Sequence, residues 1–258
     1  MKIWTLFSGS SGNALLVEQG GCRILVDAGV GVLILKRALA ALGVSYDQID
    51  ALFLTHDHSD HVKGVPAIAR RSSFPIYGKR EVLRAVAEAG EIPHARLYPL
   101  SGPVTLGSFE VNFFDTPHDA TASCGYRLRA GGRSFSVMTD LGHVPEPVFE
   151  AVRGSDMILI ESNYDRELLR NGSYPFFLKR RIEGDFGHLS NDDCAETVCR
   201  LFECGTRHFL LGHLSRENNR PERAIQCTCD ALTRLGVSAG EATVDVAPRD
   251  CTSRGFVL

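Results

Sequence analysis

Short runs of β-branched and aromatic residues alternate along the chain with longer stretches whose apolar positions recur at helical spacing. The strand-type runs are Lys2–Phe7, Ala14–Glu18, Arg23–Asp27, Ala51–Thr55, Phe109–Asp115, Gly125–Arg129, Ser134–Thr139, Met157–Ile160 and His208–Leu211. Helices are predicted over Val32–Leu42, Arg80–Ala89, Asp192–Glu203 and Glu222–Leu235. The last two follow Ser190-Asn191 and Pro221, residues that start helices well. Gly131-Gly132 reads as a hairpin turn between two strands, and the FSGSSGN segment as a tight turn between the first two. Strands come first and helices close each half, so a mixed α/β (α+β) sandwich fits better than a uniform βαβ winding. No linker, charge block or low-complexity stretch interrupts the pattern, and residues 1–258 are expected to form one domain.

Composition narrows the partners. A net charge of −3 gives no global basic footprint, so any nucleic-acid surface must be a local patch. Two clusters offer one: Lys179, Arg180 and Arg181, and the later Arg216, Arg220 and Arg223. Each reads equally well as ordinary solvated charge. Eight cysteines without an export signal at the start point to reduced thiols in a cytoplasmic protein. Cys227 and Cys229 are too close for a CxxC pair, and no second pair supports a zinc knuckle. No apolar run approaches the length of a membrane span.

The stretch Thr55-His56-Asp57-His58-Ser59-Asp60-His61 carries the chemistry. In an extended segment His56 and His58 point the same way and can grip one cation. A turn into a helix would swing Asp60 and His61 toward a second. Imidazole and carboxylate suit borderline to hard divalent metals without any thiol. Further His and Asp residues lie just beyond predicted strand ends: His118, Asp140 and His213. Loops at strand carboxyl ends are where open α/β sheets build their sites, so these positions are expected to converge on one rim.

In these motifs the chain resembles the metallo-β-lactamase superfamily along essentially its whole length. The matching features are Asp27 in LVDAG, the HDHSDH cluster, His118 in TPHDA, Asp140 in MTDLGH and His213 in LLGHLS. The resemblance implies a four-layer αβ/βα sandwich and two divalent cations, Zn²⁺ or Mn²⁺. One would be held by His56, His58 and His118, the other by Asp60, His61 and His213, with Asp140 bridging. Asp27 would orient the ligand loop. His58 stands where flavodiiron-type relatives carry a glutamate, which argues against redox use. The strings FSGSSGN, HDHSDHVKG, SYPFFLKRRI, GHLSNDD and LLGHLSRENN are similar to the YycJ/WalJ-type branch, bacterial cytoplasmic proteins regarded as DNA exonucleases. That likeness implies a 5′-to-3′ exonuclease on double-stranded DNA with a place in mismatch repair, activating hydroxide at a dinuclear centre.

Beyond the metals, the candidate catalytic residues are His188, Glu161 and Asp60, the last doubling as a ligand. His188 precedes Leu189-Ser190 at a helix start, where free N–H groups favour a phosphate. The layout is similar to ribonuclease Z, whose corresponding histidine assists the leaving group and is oriented by a strand-end glutamate; Glu161 in LIESN matches that position. His188 is then a proton donor or a phosphate clamp, unless it merely caps the helix, and Glu161 reads otherwise as a strand-end surface charge. Ser10 and Asn13 in the glycine turn are candidates for substrate phosphate, and His143 for substrate or ligand support. No inserted cap of the β-CASP kind fits between Asp140 and His213. The preferred nucleic-acid wall is Tyr174–Arg181, including Lys179, Arg180 and Arg181, although buried packing explains Phe176 and Phe177 as well. Hydrolysis of a small ester, thioester or cyclic phosphate is the rival enzymatic reading. A non-catalytic nucleic-acid-binding protein with a residual metal site is the rival from another class. Oligomeric state stays open.

Overall fold

Alternation along the strands decides the layering. Ile24 and Val26 face one apolar cluster while Leu25 between them faces another; Leu159 and Leu210 face the first, and Ile158, Ile160, Phe209 and Leu211 a third. A strand with both faces covered is a near-continuous apolar run, as ILV and MILI are here. The computed structural model describes residues 1–90, 92 and 96–258; His94, an ordinary surface position by sequence, lies outside the described residues.

The first part of the chain forms β1 (Lys2–Phe7), β2 (Ala14–Gln19), β3 (Cys22–Val26), β4 (Ala51–Phe53), β5 (Ile76–Gly78) and β6 (Leu97–Pro99). Helices α1 (Val32–Ala41), α2 (Ser59–Val62), α3 (Val65–Arg71) and α4 (Arg80–Gly90) connect them. The second part forms β7 (Val104–Leu106), β8 (Phe109–Asp115), β9 (Cys124–Ala130), β10 (Arg133–Met138), β11 (Met157–Glu161), β12 (His208–Gly212) and β13 (Thr243–Val246). Its helices are α5 (Glu146–Val152), α6 (Arg166–Asn171), α7 (Phe176–Glu183), α8 (Asn191–Glu203) and α9 (Pro221–Arg234). A last strand, β14 (Phe256–Val257), returns to the first sheet beside β1.

Two seven-stranded sheets result, ordered β14-β1-β2-β3-β4-β5-β6 and β13-β12-β11-β10-β9-β8-β7. Residues from both, among them Ile3, Val17, Phe53, Tyr126, Phe135 and Leu159, fill the central apolar layer. Outer layers pack α1, α3 and α4 on the first sheet and α5, α8 and α9 on the second. This is the four-layer αβ/βα sandwich. In each sheet, adjacent strands run parallel where the chain crosses over through helices: β3-β4-β5-β6 and β10-β11-β12-β13. Their carboxyl ends open on one edge, and that edge holds the site.

All nine expected strands are present, displaced by a residue or two at their ends. Four short strands besides β13 were not expected: β5, β6, β7 and β14 are too brief to show an alternation. The helix starts follow their capping chemistry. Ser190 accepts the Asp193 N–H at the head of α8, and Asp165 accepts the Leu168 N–H at the head of α6. Gly131 and Gly132 both take positive φ, 59° and 74°, as a two-residue hairpin between β9 and β10 requires.

Candidate metal centre

Three strands end in a residue the backbone does not favour. Asp27 just past β3, Asp140 past β10 and His213 after β12 have φ of 60°, 58° and 55°. They are the non-glycine residues with positive φ among the described residues. Left-handed backbone costs about 1–3 kcal/mol where packing must impose it. All three lie in one cluster of histidines and carboxylates.

The ligand loop after β4 is fixed from below. Asp27 accepts the Thr55 N–H and the Thr55 hydroxyl, each at 2.8 Å, and sits 2.8 Å from His61 Nδ1. A carboxylate only accepts, so His61 Nδ1 carries a proton and Nε2 faces the cluster. Thr55 Oγ1, its own proton given to Asp27, accepts from His56 Nδ1 at 3.0 Å, which turns His56 Nε2 inward. Gly29 lets the loop after β3 pass against α2: a Cβ there would collide with the Asp60 carbonyl. The backbone N–H of Ala28 bonds the His61 carbonyl at 2.8 Å, locking the two loops together.

From the second sheet, His118 Nδ1 donates to the Gly187 carbonyl (3.0 Å), which leaves Nε2 for the cluster, 3.3 Å from His58 Nδ1. His213 Nδ1 donates to Glu161 Oε1 (2.8 Å) and again presents Nε2. Donor atoms within 4.8 Å of one another form four overlapping groups: His56/His58/His118 and Asp60/His61/His213, with His56/His61/Asp140 and Asp140/Glu161/His188/His213 beside them. Asp140 lies between the first two, with its carboxylate 3.3 Å from His61 Nε2, 3.8 Å from His118 Nε2 and 3.4 Å from His213 Nδ1. The structure brings His118, Asp140 and His213 together with the residues of the HDHSDH cluster.

The donor set fits divalent cations on physical grounds. His56 Nε2, Asp140 Oδ2 and His213 Nε2 are buried and have no hydrogen-bond partner among the described residues. Leaving such atoms unpaired is costly, and cations at the centre would satisfy all three. Without cations the charges redistribute. Burial works against a charged His61, yet Asp140 and Asp27 outweigh it and hold that imidazole up at about 10. His213 rises well above its ordinary value for the same reason, with burial opposed by Asp140, Asp60 and Glu161. Burial and three neighbouring histidines push His56 well below its ordinary value and keep a lone pair ready.

Glu161, fully buried, does more than was foreseen. Its Oε1 accepts from His188 Nδ1 and His213 Nδ1, both at 2.8 Å. Its Oε2 accepts the backbone N–H groups of Leu141 (3.1 Å) and Leu189 (3.3 Å), the residues that follow Asp140 and His188. Burial favours the neutral acid, but His188 and His213 hold the carboxyl well below the usual range. It is no surface charge. Asn163 adds a bond from its amide to the His213 carbonyl (2.8 Å), and Asn219 donates to the Ser162 and Asn163 carbonyls (2.8 and 3.1 Å). Sequence reasoning passed over Thr55, Asn163 and Asn219; the dense polar strings around the ligands were the available signal.

An open cavity of about 280 Å³ lies over the cluster, lined by Ser10, His58, Ser59, Asp60, Asp140, Arg181, His188 and His213. Of the expected substrate residues, Ser10 and Arg181 reach it; Arg181 is paired with Asp119 beside His118. Asn13 is turned inward instead. Its Oδ1 accepts the Gly9 N–H (2.9 Å), and its Nδ2 contacts the Asp60 carbonyl (3.3 Å) and His61 Nε2 (2.9 Å). His143 stands apart in a neighbouring cleft, with Nδ1 donating to the Asp185 carbonyl at 3.0 Å. Lys179 and Arg180 line a different cavity with Phe176, and Phe176 and Phe177 are exposed, not packed in a core. In the second basic cluster Arg216 pairs with Asp250 and Arg223 with Asp165 and Glu167, while Arg220 donates to backbone carbonyls. That cluster is solvated, largely neutralised surface.

A sandwich of this order, with ligand-type residues at these strand ends, defines a class. The model of the β-lactamase superfamily domain matches residues 22–214, and the chain belongs to that superfamily, with the metallo-β-lactamase fold. Its relatives are more particular. The chain is 35% identical to the exodeoxyribonuclease WalJ of Streptococcus pneumoniae serotype 2, over 97% of this chain and 96% of that protein. It is 34% identical to the exodeoxyribonuclease YycJ of Bacillus anthracis, over 92% and 91%. The solved metallo-β-lactamase fold protein YhfI of Bacillus subtilis covers 98% of each chain with a TM-score of 0.70 and 18% identity. No described helix is long and apolar enough to cross a membrane.

Proposed function

We propose that this chain is a metal-dependent phosphodiesterase that degrades DNA from an end. The observation that carries the reading is a pair of three-donor sets flanking Asp140, with His188 held on Glu161 at the rim of the same cavity. His56, His58 and His118 would hold one divalent cation, and Asp60, His61 and His213 a second, with Asp140 shared; zinc and manganese both suit these donors. When bound, such a pair supplies positive charge for a phosphate oxygen and acidifies water for attack. Full-length identity to two exodeoxyribonucleases supports DNA as the substrate. In detail the reading is 5′-to-3′ digestion of double-stranded DNA in the cytoplasm, in the service of mismatch repair.

The chain's own residues do the rest. Glu161 accepts a hydrogen bond from His188 Nδ1, so Nε2 is the nitrogen left for substrate. With a proton on each nitrogen, the ring gives its Nε2 proton to the departing alkoxide or hydrogen-bonds a phosphate oxygen, and Glu161 holds the ring and offsets its charge in either role. Arg181, tethered by Asp119, places a guanidinium at the cavity wall for a non-reacting phosphate. Asp60 is half ligand and half brace: its Oδ2 is 3.5 Å from both His61 Nε2 and His213 Nε2.

Metal-titrated digestion of end-labelled DNA duplexes tests the reading, with Asp60→Ala as control. The expected result is stepwise release of nucleotides from the 5′ end that depends on zinc or manganese and vanishes in the control. Absence of cleavage with every divalent metal tried, in folded protein, overturns it.

A further inference from the structure

Helix α7 has no buried residue, and its first two side chains, Phe176 and Phe177, are 75% and 74% exposed. Phe186, in the loop from α7 to α8, is 61% exposed. Phenylalanines clustered in water mark a contact surface. Their placement ties them to the metal cavity. Phe177 lies one turn before Arg181, so the two share a side of the helix, and Arg181 lines that cavity. Phe186 is anchored through its backbone: its carbonyl accepts the Asp119 N–H at 3.0 Å, and the carbonyl of Gly187 accepts from His118. Phe176 lies on the neighbouring side beneath Arg180, 5.9 Å from its guanidinium. With Arg170, Lys179 and Glu183 these two line a cavity of about 300 Å³. Arg170, Lys179 and Arg180 form no ion pair among the described residues, and Lys179 Nζ instead holds the Arg170 and Gly172 carbonyls at 2.9 and 2.7 Å, so positive charge outweighs the Glu183 carboxylate here.

We propose that this ledge stacks the unpaired nucleotides at the end of a nucleic-acid strand whose phosphodiester enters the metal cavity. The inference rests on the phosphodiesterase reading above and adds which form of the substrate is grasped. A phenyl ring stacks only on a base with a free face, and along a duplex those faces are covered except on the terminal pair. Rings and cations together, with few side-chain amides between them, suit stacking along a charged backbone better than base-edge reading. A second copy of this chain is a poor occupant, because a two-fold contact would set the same unpaired cations against each other.

The test uses metal-loaded protein and short single-stranded oligonucleotides with phosphorothioate linkages that resist cleavage, followed by fluorescence anisotropy. One oligonucleotide carries bases and its twin is abasic. Wild type is expected to bind the base-bearing strand about 10-fold or more tighter than the abasic one. In Phe176→Ala/Phe177→Ala/Phe186→Ala that preference should collapse, while Arg170→Gln/Lys179→Gln/Arg180→Gln should flatten the salt dependence for both strands. If the triple phenylalanine variant does not fold, Phe186→Ala alone should show a partial loss. Equal binding of both strands by wild type, or an undiminished preference in the variants, overturns the proposal. So does sedimentation showing wild-type dimers that the phenylalanine variant abolishes. Binding is read without turnover, so a failure of the nuclease reading would appear separately, as bound but uncleaved natural DNA.

Discussion

Replacing Glu161 by glutamine removes one charge from the centre of four hydrogen bonds. The carboxylate accepts from His188, His213, Leu141 and Leu189 at 2.8, 2.8, 3.1 and 3.3 Å. A glutamine has one accepting oxygen and one donating amide. If the oxygen keeps the two backbone N–H groups, the amide faces two imidazole N–H groups that have lost their acceptor. Hydrogen bonds to a charged group contribute about 1.5–3 kcal/mol each, so losing two costs the fold about 3–6 kcal/mol unless the rings adjust. They can adjust only by moving their protons to Nε2, which takes from His213 the lone pair it turns toward Asp60. The second cation should then bind about 10- to 100-fold more weakly, the usual consequence of removing a carboxylate behind a metal-bound histidine. His188 also loses the carboxylate that holds its ring and offsets its charge when doubly protonated, and turnover should fall by a further factor of about 10² or more. Metal content by mass spectrometry, thermal melting with and without metal, and hydrolysis of bis(p-nitrophenyl) phosphate measure the three effects. A Glu161→Gln protein with full metal content, an unshifted melting temperature and wild-type turnover would refute the account of this carboxylate.

Asp140→Ala removes the group shared by both donor sets, and should lose both metals and all cleavage; atomic absorption on dialysed protein decides it, and retained metal with turnover sinks the bridging role. His188→Ala should keep its metals yet cleave about 10²-fold more slowly, and an unchanged rate removes His188 from the chemistry. In the metal-free chain His61 is held up at about 10, so loading a cation at pH 8 must expel a proton, and affinity should climb with pH. Calorimetry in buffers of different ionisation enthalpy counts that proton, and none released would contradict the assignment. The same raised value gives the metal-free fold stability that is complete below about pH 6.5 and lost as pH rises toward 10. Melting of metal-stripped protein across that window should fall accordingly, and a flat profile would speak against it.

The ligands were readable because their spacing is dictated by chemistry. His56 and His58 two apart on extended chain, then Asp60 and His61 on the first turn of α2, is a pattern that neither a core nor a random surface produces. His118, Asp140 and His213 were legible for a different reason: each sits just beyond a strong strand. Supporting contacts left weaker marks. Glu161 was tied by sequence to His188 alone, since its second histidine, His213, is separated by 52 positions and approaches only once β11 and β12 pair in parallel. Asn13 looked like a phosphate ligand because glycine turns often are, but tertiary closeness to Asp60 turned its amide inward. The segment of helix α7 reads in the sequence as a nucleic-acid wall but not as a helix, because no residue in it is fully buried and it lacks a strong apolar stripe. Sequence patterns announce what is hidden from water, and α7 hides little.

Each donor set draws on both sheets: His56 and His58 come from the first and His118 from the second, and Asp60 and His61 join His213 across the same divide. In these two sets neither half of the polypeptide supplies all three donors. Both sets are whole only where the two sheets lie together, so the pocket reports on their union.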